Sequence, residues 1–168
     1  LLRMHYDCSL LGRGGLRMGV YRWDAYREQT LARQKQLGIV PPDTRLTERI
    51  DQIPAWDSLN DQEKKLYARQ MEVFAAQMEW VDMQIGRIIK DLERIGELDN
   101  TLIFVTSDNG ASGEGGLAGT FNETYVLNGL QTPLEANYKN QEDWGRENTY
   151  PHYHAGWAMA GNTPFRYF

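Results

Sequence analysis

Residues 101–116 read TLIFVTSDNGASGEGG, and the fold of the chain turns on that phrase. Leu102, Ile103, Phe104 and Val105 are four consecutive apolar residues, a run that reads as a short strand buried on both faces. Ser107, Asp108, Asn109 and Gly110 follow at its carboxyl end, where ligands collect in open α/β sheets. The expected class is α/β: a buried, mainly parallel strand packed beside a long helix.

That helix stands immediately upstream. Asn60, with Glu63 three residues on, has the spacing of a capping box. Beyond it Tyr67, Met71, Phe74, Met78, Val81, Ile85, Ile88, Leu92 and Ile95 recur in steps of four and three, as one helical face does. Lys90 and Arg94 suit the negative end of the helix dipole, and Gly96 supplies a left-handed stop. At 1.5 Å per residue the element would run on the order of 50 Å. Leu66, Val73, Trp80 and Ile89 widen the stripe beyond a coiled-coil seam, which favours packing in a globular core. A second helix is expected from about residue 20 to 37, facing inward with Trp23, Tyr26, Thr30 and Leu31 and ending at Gly38. Pro41 and Pro42 then forbid helix.

Composition narrows the class. With 41% apolar and 24% charged residues the chain matches globular proteins rather than disordered tails. No apolar run is long enough for a bilayer span. A net charge of -5 speaks against nucleic acid as a partner. Arg13, Arg17, Arg22, Arg27, Arg33 and Lys35 thicken one end, but Asp24 and Glu28 interrupt them, as on a solvated helix face. The single cysteine, Cys8, has no intramolecular disulfide partner. Residues 1–19 are glycine-rich and aperiodic, a loop or divergent segment. Leu1 and Phe168 both fall inside what read as longer phrases, so the expectation is an internal piece of a larger protein.

Asp108 and Asn109 offer a carboxylate and an amide oxygen side by side, hard donors suited to Ca²⁺ or Mg²⁺. Asp-Asn-Gly is equally a turn sequence, since Asx side chains bond their own backbone and Gly takes positive φ. The glycines at 110, 113, 115, 116 and 119 would let backbone approach an anion, yet match no phosphate-loop pattern. No period persists from residue 117 to 150, which marks a functional loop or an insertion. His152 and His154, two apart, would share one strand face. They read better as hydrogen-bonded wall residues than as ligands or acid–base groups.

Taken in order, GELDNTLIFVTSDNGASGEGG, GTFNETYVLNG, LEANYKN and HAGWAMAGNTPFRYF resemble the sulfatase family of the alkaline phosphatase-like superfamily. The likeness reaches back through WDAYREQTLARQKQLGIVPPDTRLT and so covers about residues 20–168, part of a catalytic domain. The resemblance implies a partial alkaline phosphatase-like fold and an arylsulfatase-type hydrolase acting on small-molecule or glycan sulfate esters. It implies a formylglycine nucleophile made from Cys or Ser in a C/S-x-P/A-x-R motif. It also implies a calcium ion, with Mg²⁺ as alternative, for which Asp108 and Asn109 match the second pair of ligands. A periplasmic or secreted location goes with it; the oligomeric state does not follow.

The departures are specific. Cys8 is followed by Leu10 and Gly12 where Pro or Ala and then Arg belong, so it is not assigned as nucleophile. The early Asp pair and the HAPH-like segment are missing, and His5 stays unassigned. The family's lysine beyond the NTPFR phrase would follow Phe168. The nucleophile is thus expected upstream, with no catalytic residue in this chain and no turnover by the chain alone. Two rivals stand: a phosphoric or phosphonic ester hydrolase of the same superfamily, and a non-catalytic helical interaction module built on the Tyr67 to Ile95 stripe.

Overall fold

A computed structural model of the protein describes residues 22–167; the segment 1–19, with His5 and Cys8, lies outside them. Helix α1 spans Trp23–Gln36. It stops where glycine is expected: Gly38 has φ 69°. There the Gly38 and Ile39 amides donate to the Lys35 and Gln34 carbonyls, the paired bonds of a Schellman cap. Its buried residues are Trp23, Arg27 and Leu31. Arg27 corrects the expectation of a solvated face, because it is only 3% exposed. Its Nη2 donates to the Thr47 carbonyl (3.0 Å), the Thr47 hydroxyl (2.8 Å) and the Phe165 carbonyl (3.4 Å). A guanidinium tolerates burial when oxygens meet it, and this one ties α1 to the end of the chain.

Helix α2 spans Asp61–Arg94, 34 residues. The capping box is present: the Glu63 amide donates to Asn60 Oδ1 and the Asn60 amide to Glu63 Oε2, each at 2.9 Å. Gly96 and Glu97 close the far end with a second Schellman pair onto Glu93 and Leu92. Only the first turns are buried, at Leu66, Tyr67, Ala68 and Gln70. Further along, Trp80, Met83, Ile88 and Ile95 are exposed. The apolar stripe therefore exceeds what the described residues cover.

The core gathers where α1, the start of α2 and helix α5 (Ala155–Gly161) meet. Trp23 stands edge-on to Trp56 (centroids 4.8 Å) and to Trp157 (5.7 Å), an arrangement aromatic quadrupoles favour. Buried indole N–H groups need acceptors: Trp23 finds the Pro54 carbonyl at 3.1 Å and Trp157 the Tyr67 carbonyl at 2.9 Å.

The apolar run after α2 departs from expectation. Residues 101–107 form no strand, and Leu102 and Phe104 are 79% and 83% exposed. Regular structure among the described residues is helical, and β pairing is limited to two isolated bridges, Thr120 with His152 and Asn122 with Tyr150. The physical reason is simple: a strand buried on both faces needs neighbours along both edges, and no described segment pairs with this one.

Residues 117–150, aperiodic in sequence, are ordered by buried polar side chains. Two short helices, α3 (Thr124–Leu127) and α4 (Leu134–Lys139), lie here. Asn137, fully buried, donates to the Ala118 and Gly119 carbonyls and accepts from the Phe121 amide.

Candidate metal centre

The loop after the apolar run carries the predicted donor pair. Ser107 Oγ donates to the Asn109 carbonyl (2.7 Å) and Asn109 Nδ2 to the Gly110 carbonyl (2.6 Å). These bonds turn the Asn109 amide so that nitrogen faces the backbone. Among the described residues no hydrogen bond or ion pair occupies the Asp108 carboxylate or Asn109 Oδ1. Both side chains are exposed. Two hard oxygen donors without partners among the described residues fit a Ca²⁺ or Mg²⁺ ion as a partial ligand set. They are not a complete one: no group of three or more His, Cys, Asp or Glu that could hold a metal occurs among the described residues.

Gly110 refines the turn reading. Its φ is not positive, so the backbone there does not demand glycine. Space does. A Cβ at Gly110 would run into Asn162 Oδ1. That amide, at the end of α5, accepts from the Ala111 N–H at 3.1 Å and donates to the Ala111 carbonyl at 2.6 Å. The phrases SDNGA and GNTPF, whose contact spans 51 residues, are therefore one piece of structure.

The two histidines part company. His152 Nδ1 accepts from the Gly115 amide at 3.2 Å, and its Nε2 lies 3.9 Å from Glu114. Gly115 and Gly116 both spend their amides on protein acceptors, His152 and the Gly113 carbonyl, so an anion nest is not what they build. His154 is buried: its Nδ1 accepts from the Gly156 amide at 2.8 Å, capping α5. Burial lowers its pKa from 6.5 to about 3, against the opposing effect of the Leu117 carbonyl. A neutral ring suits a wall residue. Neither histidine hydrogen-bonds to Asp108 or Asn109.

Sequence reasoning missed Asn162, Gln70 and Asn137. A groove of about 810 Å³ runs along α2, lined by residues such as Phe74, Trp144 and Tyr153. Neither Asp108 nor Asn109 lines it, so concavity alone would point away from the donor pair.

Comparison with known proteins agrees with the phrases that join here. The family model described as Sulfatase matches residues 22–160. An uncharacterised sulfatase of Schizosaccharomyces pombe is 36% identical over 145 residues, 85% of this chain and 25% of that protein. An arylsulfatase of Klebsiella aerogenes is 32% identical over 142 residues, 84% of this chain and 28% of that one. An N-acetylglucosamine-6-O-sulfatase of Bacteroides thetaiotaomicron is 50% identical over 44 residues, 26% of this chain and 8% of its own. The chain spans about a quarter of the length of the first two. It belongs to the sulfatase family, which implies the alkaline phosphatase-like fold.

Proposed function

We propose that the intact protein hydrolyses sulfate esters as an arylsulfatase-type enzyme, and that this chain contributes Asp108 and Asn109 as two oxygen ligands of a calcium ion. The observation that supports it is the pair itself: two hard donors, exposed and unpartnered among the described residues, on a loop anchored at Ala111. The arylsulfatase and N-acetylglucosamine-6-O-sulfatase relatives support a sulfate ester as substrate class. When bound, a dication offsets charge on ester oxygens as it builds toward the leaving group. Asp108 supplies formal negative charge for holding it. Asn109 supplies a neutral oxygen, oriented by the bond its own nitrogen makes to Gly110. The nucleophile, a formylglycine in this reading, stands upstream of the chain, so the isolated chain turns over nothing.

The test is turnover of matched aryl sulfate and aryl phosphate esters by the intact protein, before and after chelation. Sulfate turnover that is lost with chelator and restored by calcium supports the reading. Preferential cleavage of phosphates transfers it to the phosphoric or phosphonic ester hydrolases. The exposed Trp80, Met83 and Ile88 of α2, with Ile95 at its C-cap, favour a second reading, a helical interaction module. A defined helical oligomer in light scattering, indifferent to calcium and inert toward both esters, would establish that alternative.

A further inference from the structure

Among the described residues, the segment between α2 and the glycine loop makes its long-range hydrogen bonds at one point. Its hydrogen bonds from residue 101 to 110 are local: Thr101 to Glu97, Thr106 to Ser107, Ser107 to Asn109, Asn109 to Gly110. Among the described residues, the long-range hydrogen bonds made by residues 102–111 are those of Ala111 with the Asn162 side chain. This one carboxamide meets both backbone groups of Ala111, as a neighbouring strand would. Its orientation is fixed from behind, because Nδ2 also donates to the Ala158 carbonyl at 2.9 Å. Reversing the amide would set its oxygen against two carbonyl oxygens. Two small residues make the approach possible. Gly110 has no Cβ to strike Asn162 Oδ1, and a Cβ at Gly161 would stand 2.7 Å from that of Ala111.

From this arrangement we infer that Asn162 is a positioning residue for the Asp108–Asn109 pair, setting where both oxygens stand through the Ala111 backbone two residues on. The inference rests on those two side chains binding a dication. Ligand groups are held for a metal by the groups behind them, and losing one such support commonly costs ten- to a hundredfold in affinity. Asn162 touches neither the ion nor the ester in this scheme. It acts through backbone.

The experiment uses the intact protein stripped of metal. Calorimetry measures calcium affinity, and hydrogen exchange measures protection of the Ala111 amide without calcium. Asn162→Ala and Gly110→Ala attack the contact from its two sides, so if the first does not fold the second still tests it. The expected result is a ten- to hundredfold weaker calcium Kd and faster Ala111 exchange in each, while Asp108→Ala loses calcium with Ala111 still protected. Calcium affinity within threefold of wild type in both variants, despite faster exchange, overturns the positioning role and leaves the ligand pair standing. Unchanged exchange overturns the clamp itself. A wild-type protein that takes up no calcium removes the ligand pair, and the positioning role with it.

Discussion

The imidazole of His154 lies flat against the indole of Trp23, ring centroids 4.8 Å apart and planes 12° from parallel. Tyr67 closes another side at 4.4 Å, and His154, 1% exposed, is shielded from the solvent an imidazolium needs. The unfolded chain binds a proton near pH 6.5, whereas the native ring resists protonation down to about 3. The contribution of His154 to stability is therefore complete above pH 6.5 and falls as pH drops through that window. The unfolded state binds the extra proton, giving a slope of up to about 1.4 kcal/mol per pH unit. Urea titrations at pH 7, 5.5 and 4.5 measure it. His154→Gln should lower stability overall while removing this component of the slope; an unchanged slope refutes the assignment.

Gln70 is the second support of that corner. Its Oε1 accepts from the His154 amide at 2.8 Å and its Nε2 donates to the Ala118 carbonyl at 2.9 Å. Gln70→Ala leaves the buried His154 amide without its acceptor and the Ala118 carbonyl with Asn137 as its remaining donor. An unpaired buried group costs about 1–3 kcal/mol, and that is the expected loss by denaturant unfolding. A loss below about 0.5 kcal/mol would show that another group or water takes over.

Much of this was legible in local pattern. The Asn60–Glu63 box, the two glycine stops and the inward Trp23 and Leu31 depend on residues a few positions apart, which is what periodicity and capping rules measure. Arg27, Gln70, Asn137 and Asn162 were not legible. Their side chains are polar, and the partners that justify their burial mostly lie far off in sequence, from 16 residues for Asn137 to 138 for Arg27. The donor pair is proposed from its place after an apolar run, although that run forms no strand among the described residues. Its anchor was missed because an asparagine near a helix end looks like an ordinary cap.

Replacing the donor pair should separate function from stability. Asp108 and Asn109 are exposed, and surface substitutions usually stay within about 0.5 kcal/mol. Asp108→Ala and Asn109→Ala in the intact protein are expected to keep the melting temperature measured without calcium. Sulfate ester turnover should fall by about a hundredfold or more, the scale of losing preorganised charge stabilisation. Full activity in the double variant would end the metal reading.

Phe104 tests whether the intact protein covers the apolar run. Judged by its present surroundings, Phe104→Asp should cost nothing, since the side chain is 83% exposed. If the rest of the protein buries residues 102–105 as a strand, the same change places a charge in a core. The loss is then several kcal/mol, and soluble yield falls sharply. Soluble expression and urea midpoints of the intact variant decide it. Wild-type values would show that the run stays at the surface.

The Ala111–Asn162 contact has a topological result. It joins two points 51 residues apart, so everything between them is a detour that departs from and returns to the same spot. Doubling the length of such a detour adds only about 0.6 kcal/mol of closure entropy. Insertions in the stretch bearing α3 and α4 can therefore lengthen it and leave the fixed ends where they are. Differences in length among related proteins would then accumulate inside the detour, with the contact that closes it held constant.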